Sequence, residues 1–453
     1  MDAEAAFKQI CERVPDAMKQ FNVPGVAVGV YCDGREFGAG FGVTSTRNPL
    51  AVNEKTLFQI GSNTKTFVAT AAMRLVEAGK LDLDAPIRKY LPDFRMRDAD
   101  VIARVTIRHL MTHTAGWAGD YFLDTGDGDD ALERYVAAMA DLPQLTPLGT
   151  LWSYNNAAFA LAGHVIAKIT AKTFEAALKD LVLDPLGLRR SLINPHDVMT
   201  HRFAVGHATL NDQTYVLAPW NLTRSMWPAG GIAASVMDLI RYGRFHLGDG
   251  RNVTGDQILT RESLTAMQTP ICKGQLDNTM GLSWWLREVG GVKAVFHGGG
   301  TLGQISAFIL HPQRDFALAI FTNSGMGGLL INAITKDAMP EFLGYREPVP
   351  DHIPMSVERL GEYAGRYKGQ LSDIVLSLSG TDLMMQQESK GGFPTSTTPP
   401  TPNPPPSRVA FIGKDLLEAL DPPLKGARAE FLRDNSAAII WMRIGGRLTS
   451  RQK

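Results

Sequence analysis

The stretch Gly61-Ser62-Asn63-Thr64-Lys65-Thr66-Phe67 places a serine three residues ahead of a lysine, at the start of a helical sequence. Apolar residues recur every three or four positions over residues 68–78, which predicts an α-helix that ends at Gly79. Three residues are just under one turn, so the serine and lysine side chains would project from the same face. A serine in this position is a candidate nucleophile.

Proton transfer decides whether Ser62 can react. A serine hydroxyl hardly ionises at neutral pH, so it must pass its proton to a base as it attacks a carbonyl. Lys65 can be that base if burial or nearby positive charge lowers its pKa. The same pattern also arises by chance, and a serine at a helix start often serves as its N-cap. The motif alone therefore leaves both interpretations open.

Composition limits the classes of protein to which the chain can belong. A length of 453 residues suggests one large domain and a smaller one. The 46 basic and 46 acidic residues cancel, so neither a nucleic-acid partner nor an anionic membrane is expected. Cys11, Cys32 and Cys272 are scattered, which argues against a disulfide scaffold or a zinc site. We therefore expect no metal and no cofactor.

The N-terminus predicts a location. Residues 1–15 carry charges throughout and lack the apolar core of a secretory signal, so they are expected to form an amphipathic helix. No apolar run approaches the roughly twenty residues that a membrane span needs. The chain is thus expected to be cytoplasmic, although a processed form that follows a removed signal would look the same.

Strand patterns lie at the two ends of the first 345 residues. Short apolar runs over 24–31 and 36–43 flank the turn Asp33-Gly34, and similar runs recur over 281–286, 294–297, 304–310 and 316–322. Helical patterns fill the region between them. This order predicts an α+β domain whose sheet is closed by its first and last strands.

Proline marks the boundary of a second region. Residues 346–358 contain Pro348-Val349-Pro350 and Pro354 and are expected to be a linker. Residues 359–453 show short alternating strands, interrupted by a proline-rich segment over 394–406 that is expected to be a mobile loop. A small antiparallel β domain, a barrel or half-barrel, is predicted here.

Other polar positions are ambiguous when taken singly. His109 and His113 are four residues apart, but the metalloprotease pattern would need a glutamate where Leu110 stands, so structural roles are favoured. The Asp/Gly-rich segment 120–130 is expected to be an exposed surface loop, with a place beside a cleft as the alternative. Tyr154 and Asn156 could share one side of an extended segment, or could be a buried tyrosine and a helix cap.

The motifs become informative when they are taken together. Ser62-x-x-Lys65, Tyr154-x-Asn156 and His297-x-Gly299 resemble, in order and approximate spacing, the three motifs of penicillin-recognising serine enzymes. Over residues 20–340 the chain resembles class C β-lactamases and D,D-peptidases, and within them the esterase and D-aminopeptidase branch. Three further stretches share the resemblance: Thr106 to Trp117, Asp184 to Leu188 and Pro228 to Gly231. The segment Tyr363 to Tyr367 is similar to the lipocalin-like appendage of some members.

The resemblance implies a fold and a division of the chain. The implied fold is a β-lactamase/transpeptidase-like antiparallel sheet flanked by helices, followed by a small lipocalin-like antiparallel domain. Residues 1–345 would be the catalytic domain, 346–358 the linker and 359–453 the barrel-like domain.

The resemblance also implies roles for individual residues. Ser62 would form an acyl-enzyme, and Tyr154 would be the leading general base, with neutral Lys65 as the alternative. Asn156 would hold Lys65 and donate to a substrate amide. The backbone N–H groups of Ser62 and Gly300 would form the oxyanion hole.

One departure from the family pattern bears on the substrate. Lys-Thr-Gly is usual in β-lactamases and carboxypeptidases of this family where the chain has His297-Gly298-Gly299, so recognition of a substrate carboxylate is expected to be weaker. Esters, amides or peptides without that carboxylate are favoured, with His297 free to bond to Tyr154 or the leaving group. Gly298, Gly299, Trp152 and Trp117 are expected to bind substrate. The aromatic residues that could line an acyl pocket are Trp117, Tyr121, Trp152, Trp220, Trp227 and Trp284.

The expected function is therefore that of a serine hydrolase acting on a small-molecule or peptide substrate. Three alternatives remain open. The first is acyl transfer, as in a macrocyclising penicillin-binding-protein-like thioesterase, and the second is β-lactamase or D,D-carboxypeptidase activity. The third is a scaffold that keeps the fold and turns nothing over. The oligomeric state is left open.

Overall fold

A computed structural model of the protein describes residues 2–210 and 213–452. The helices are α1 (Ala3–Phe21), α2 (Thr64–Glu77), α3 (Ala99–Arg104), α4 (Ile107–Met111), α5 (Ala131–Ala138), α6 (Asn156–Thr170), α7 (Phe174–Leu178), α8 (Pro195–Val198), α9 (Trp227–Gly230), α10 (Val236–Leu247), α11 (Arg261–Met267), α12 (Gly327–Leu343) and α13 (Val357–Gly361). Among the described residues, none of the helices combines the length and apolar character needed to cross a bilayer.

The first thirteen strands belong to the large domain. They are β1 (Gly25–Cys32), β2 (Arg35–Gly42), β3 (Phe58–Gln59), β4 (Ser191–Leu192), β5 (His207–Leu210), β6 (Gln213–Val216), β7 (Ala233–Ala234), β8 (Cys272–Lys273), β9 (Thr279–Met280), β10 (Trp285–Val289), β11 (Val292–Thr301), β12 (Gln304–His311) and β13 (Phe316–Thr322). Eight of them form one antiparallel sheet in the order β2-β1-β13-β12-β11-β10-β9-β8. The pairing of β1 with β13 sets Val26 opposite Thr322, so strands from the two ends of the domain meet as predicted, although the sheet stays open with β2 and β8 at its edges.

Helices cover both faces of this sheet, which explains why every residue of β1 is buried. Val26, Val28 and Val30 share one apolar core with α1 and α12. Ala27 and Tyr31 face the other way, into the core that contains α2, α6 and α10. The α+β architecture predicted from the strand and helix pattern is confirmed.

The segment around Ser62 differs in detail from the predicted helix. Gly61 has a φ of 51°, and residues Gly61–Asn63 form a 3₁₀ turn, so α2 itself begins only at Thr64. The helix ends at Glu77, close to the predicted end at Gly79. The turn still presents Ser62 and Lys65 to the same side because it continues directly into α2.

The C-terminal region is a closed antiparallel barrel. Its strands are β14 (Gly365–Lys368), β15 (Ser372–Ser379), β16 (Asp382–Ser389), β17 (Ser407–Gly413), β18 (Leu416–Ala419), β19 (Arg428–Arg433), β20 (Ile439–Ile444) and β21 (Arg447–Arg451), and β14 pairs with β21. Tyr363, Tyr367, Phe411 and Phe431 pack together inside it. The separate C-terminal β domain expected from the sequence is confirmed.

The proline-rich segment between β16 and β17 contacts the large domain. The ring of Phe393, just before it, packs edge-on against Phe122 at 4.9 Å between centroids. The Ser396 N–H donates to the Phe122 carbonyl at 2.8 Å. Both contacts join the barrel to the segment that begins at Asp120.

Candidate active site

Ser62 lies where the turn before α2 approaches strand β11. A Cβ on Gly61 would lie 2.6 Å from the Gly300 nitrogen, and a Cβ on Gly299 would lie 1.9 Å from the Ile60 carbonyl oxygen. Only glycine permits backbones to approach this closely. The approach brings the backbone of Ser62 near that of Gly300, which is the arrangement that the predicted oxyanion hole requires.

Lys65 is fully buried, and its Nζ contacts three oxygen atoms. It lies 2.9 Å from Ser62 Oγ, 2.8 Å from Asn156 Oδ1 and 2.6 Å from the Ala229 carbonyl oxygen. The two carbonyl-type oxygens only accept hydrogen bonds, so Nζ must donate to both. The remaining position on Nζ faces Ser62. It holds a proton when Lys65 is an ammonium and a lone pair when Lys65 is a neutral amine.

The surroundings of Lys65 disfavour its charged form. Burial lowers the pKa of Lys65 well below its usual value, and the positive charge of Arg447 lowers it further. Asp120 acts in the opposite direction but does not offset burial. A neutral Lys65 can accept the proton of Ser62 through the lone pair that faces it.

Tyr154 lies beside Lys65 in the segment that leads into α6. The Lys65 Nζ is 4.9 Å from the centre of the Tyr154 ring, and His113 stacks on that ring at 4.4 Å. Burial raises the pKa of Tyr154 to about 12, although Arg447 and the Ser62 hydroxyl both act to lower it. The phenol form of Tyr154 is therefore favoured at neutral pH.

Asn156 is the first residue of α6, and the preceding Asn155 is the N-cap. The Asn156 Oδ1 accepts from Lys65, and its Nδ2 donates to Asp120 Oδ1 at 2.7 Å. The Asp120 side chain is only 2% exposed and pairs with Arg447. The expectation that the Asp/Gly-rich segment is exposed is thus wrong at Asp120, because long-range partners bury this carboxylate.

His297 lies on β11 with its ring 6.4 Å from that of Tyr154. Its Nδ1 is 2.6 Å from the Gly298 carbonyl oxygen, which can only accept, so Nδ1 carries the hydrogen. Burial lowers the pKa of His297 to about 3. The imidazole is neutral, and its buried Nε2 has no hydrogen-bond partner among the described residues.

His109 and His113 do not share a helix face, because α4 ends at Met111. His109 Nδ1 lies 2.8 Å from the Thr106 hydroxyl at the start of α4. His113, with a φ of 58°, accepts the Asn155 N–H at its Nδ1. Within residues 2–210 and 213–452, no cluster of three or more His, Cys, Asp or Glu side chains could hold a metal ion.

The two tryptophans expected to bind substrate are both buried. Trp117 is 1% exposed and packs in the core that contains α2, α6 and α10, while Trp152 is 2% exposed and packs against Tyr154 and Trp285. Neither indole offers an open surface in this conformation, so their role in substrate binding stays a prediction.

Three groups at the site were not identified from the sequence: the Ala229 carbonyl, Asp120 and Arg447. The turn that contains Ala229 was noted only as part of a resemblance. Asp120 lies in a segment whose composition is typical of surface loops, and Arg447 follows two glycines in a hairpin. Neither pattern contains a local signal for catalysis.

The arrangement combines the parts of a nucleophilic site. Ser62 is half-buried, the Nζ of Lys65 faces its hydroxyl, and the phenol of Tyr154 stands beside both. Side chains arranged in this way can transfer an acyl group from a substrate to the serine and a proton to the leaving group.

Comparisons with known proteins agree with this chemistry. Residues 12–329 match the β-lactamase family model. Penicillin-binding protein 4 of Amycolatopsis lactamdurans is 33% identical over 79% of this chain and 96% of its own length. Esterase EstB of Burkholderia gladioli is 40% identical over 30% of this chain and 38% of its own.

A solved structure is similar to both domains. SurE matches 99% of this chain and 100% of its own with a TM-score of 0.75 and 26% identity, and a second structure contains SurE with D-Leu. The match includes the barrel because it covers almost the whole chain.

Proposed function

Because this chain belongs to the β-lactamase family and is a serine hydrolase of that superfamily, we propose that it acts through an acyl-enzyme on ester, amide or peptide carbonyls. Its activity would be of the esterase or D-amino-acid-specific peptidase type. The observation that carries the proposal is the contact of buried Lys65 with Ser62 Oγ at 2.9 Å. A nucleophile needs its base at this distance.

In the acylation step, Ser62 Oγ attacks the substrate carbonyl while its proton passes to the lone pair of Lys65. The negative charge that forms on the carbonyl oxygen is held by the backbone N–H groups of Ser62 and Gly300. Tyr154 gives its phenol proton to the leaving group and regains one from the Lys65 ammonium. The bond to the leaving group breaks, and an ester to Ser62 remains.

We propose Lys65 as the base that activates Ser62, in place of Tyr154, which the resemblance favours, because Lys65 Nζ lies 2.9 Å from Ser62 Oγ. Burial lowers the pKa of Lys65, which favours the unprotonated amine, but raises the pKa of Tyr154, which disfavours the phenolate. The two groups exchange protons and titrate together. Tyr154 is thus assigned the transfer of a proton between Lys65 and the leaving group.

In deacylation, water attacks the ester carbonyl of acylated Ser62 and loses a proton to the same pair of groups. The bond between the acyl carbon and Ser62 Oγ breaks, and Oγ regains a proton. The product acid leaves, and Ser62 is ready for another cycle.

The proposed substrate class rests on His297. A neutral imidazole supplies no positive charge where the family usually has lysine, so a substrate carboxylate gains no ion pair there. This supports neutral acyl groups, such as esters and amides, over penicillins and D-Ala-D-Ala peptides.

Acyl transfer is a second candidate. SurE resembles this chain over both domains, and D-Leu is present in one of its structures. A D-amino acid carries an amine that could attack an acyl-enzyme in place of water, and it could equally be released by hydrolysis. Both outcomes use the same acyl-enzyme on Ser62.

A substrate panel separates these functions. It would compare p-nitrophenyl esters, D-amino-acid amides, a chromogenic cephalosporin and a peptidyl thioester with an internal amine. Dominant turnover of esters or amides supports the proposal, and cyclised product without hydrolysis supports transfer. Dominant cephalosporin hydrolysis would refute the assignment of substrate class. Ser62→Ala is the control for each substrate.

A further inference from the structure

The barrel reaches the catalytic residues through the turn between β20 and β21. The Tyr154 N–H donates to the Gly446 carbonyl at 2.8 Å, and the Leu448 N–H donates to the Ser153 hydroxyl at 3.3 Å. These bonds attach the turn to the segment that carries Tyr154. The barrel therefore contacts the same short stretch of chain that supplies a phenol to the site.

Gly446 allows this close contact. Its φ is 82°, and a Cβ at this position would lie 3.1 Å from the Trp152 ring and 3.3 Å from Tyr154 Cβ. Another residue would be strained and crowded there. The turn is thus shaped to lie flat against Trp152 and Tyr154.

Arg447, the next residue, faces two groups of the large domain. Its Nε and Nη2 donate to the two carboxylate oxygens of Asp120 at 3.0 and 3.2 Å. Its guanidinium carbon lies 4.5 Å from the centre of the Tyr154 ring. The Arg447 side chain is 39% exposed, whereas that of Asp120 is buried. Arg447 thus covers a carboxylate that has little access to water.

A line of contacts joins Arg447 to the nucleophile. Asp120 accepts from Asn156, Asn156 accepts from Lys65, and Lys65 contacts Ser62. Each contact measures between 2.7 and 2.9 Å. A change at the barrel end can therefore reach Ser62 through three side chains.

The charges of Asp120 and Arg447 have opposite effects on Lys65 and Tyr154. The negative charge of Asp120 raises the pKa of Lys65 and of Tyr154, and the positive charge of Arg447 lowers both. The other titratable groups nearby, His113 and His297, are kept neutral because burial lowers their pKa values. Arg443 also belongs to the barrel, and its guanidinium carbon lies 5.8 Å from the centre of the Trp152 ring.

Without Arg447, the charge of Asp120 would stabilise the ammonium form of Lys65, which has no lone pair for the Ser62 proton. We propose that Arg447 is a positioning residue supplied by the barrel, which neutralises Asp120, holds it against Asn156 and so keeps Lys65 able to accept the Ser62 proton. The inference rests on the proposed function because it concerns the acylation of Ser62. It makes the barrel a part of the active site.

The test uses the full-length chain and the pH dependence of kcat/KM for a p-nitrophenyl ester. In Arg447→Gln, the rise of kcat/KM with pH should move to higher pH by about one unit, the low end of the shift that a neighbouring opposite charge produces. In Asp120→Asn it should move to lower pH. The double variant should return toward the wild-type position, and Arg447→Lys, which keeps the charge, should stay close to it.

Unmoved pH profiles in both single variants would overturn the inference. A raised KM with an unmoved profile would also overturn it, because Arg447 would then contact substrate. If Arg447 served only to dock the barrel, Arg447→Gln would lose activity equally at every pH. That result would also overturn the inference. Asp120→Asn creates no unpaired buried carboxylate, so it tests the opposite shift even if Arg447→Gln does not fold.

Labelling with a fluorophosphonate separates this inference from the proposed function. Failure of the wild-type protein to gain an adduct on Ser62 would refute the proposed function. An adduct on the wild type, together with unmoved profiles in the variants, would refute the role of Arg447 alone.

Discussion

Replacing Asn156 with alanine tests the connection that its side chain makes between Lys65 and Asp120, both of which are buried. Its amide accepts from Lys65 at 2.8 Å and donates to Asp120 at 2.7 Å. Each buried group left without a partner costs ~1–3 kcal/mol, so the variant should lose ~2–6 kcal/mol of unfolding free energy. Because Lys65 keeps Ala229 and Asp120 keeps Arg447, we expect the lower part of this range, ~2–3 kcal/mol.

The same variant should lose activity because Lys65 is no longer held toward Ser62. A positioned base contributes about 10²–10⁴-fold to a rate, so kcat/KM for a p-nitrophenyl ester should fall about 10²-fold or more. Urea unfolding followed by tryptophan fluorescence measures the stability, and ester turnover measures the activity.

A control separates the two effects. Asp98 caps the short helix α3, where it accepts from the N–H groups of Asp100 and Val101. Asp98→Ala should cost about 1 kcal/mol without touching the site, so its kcat/KM should equal that of the wild type. An Asn156→Ala protein with wild-type stability, or with wild-type turnover, would refute the reasoning.

Three further changes are informative. Ester turnover should persist at neutral pH and fall as acid protonates Lys65, whose pKa burial lowers; a pH profile that rises only near the usual lysine pKa of about 10.4 would contradict this. His297→Lys should raise the ratio of kcat/KM for a cephalosporin to kcat/KM for an ester by about 10-fold or more, since charged hydrogen bonds contribute ~1.5–3 kcal/mol. An unchanged ratio would refute the idea that the missing positive charge at this position disfavours substrates with a carboxylate. Gly299→Ala should lower kcat by about 10²-fold, because its Cβ would lie 1.9 Å from the Ile60 oxygen and displace β11. Gly298→Ala, whose Cβ would have 3.6 Å of clearance, should lose far less, and equal losses would refute the explanation.

The parts of the fold that follow from local patterns could be predicted from the sequence. Short apolar runs on either side of Asp33-Gly34 predicted the first hairpin, and the spacing of apolar residues predicted the helix after Ser62. The 3₁₀ turn was not predicted, because it depends on the positive φ of Gly61 and on the nearness of β11. Tertiary contacts decide such details.

The part of the site that lies outside the motifs could not be predicted. Asp120 was expected to be exposed, yet its partners Asn156 and Arg447 lie 36 and 327 positions along the chain. No local periodicity indicates that residues so far apart will meet. The composition of the segment predicted a surface loop, but the ion pair with Arg447 buries Asp120.

The acylation of Ser62 is tested most directly by intact-mass measurement and peptide mapping after treatment with a fluorophosphonate. The wild-type protein should gain one adduct located on Ser62, Ser62→Ala should gain none, and Lys65→Ala should be labelled far more slowly. An adduct on another residue, or equal labelling of Ser62→Ala, would contradict the assignment of Ser62 as the nucleophile.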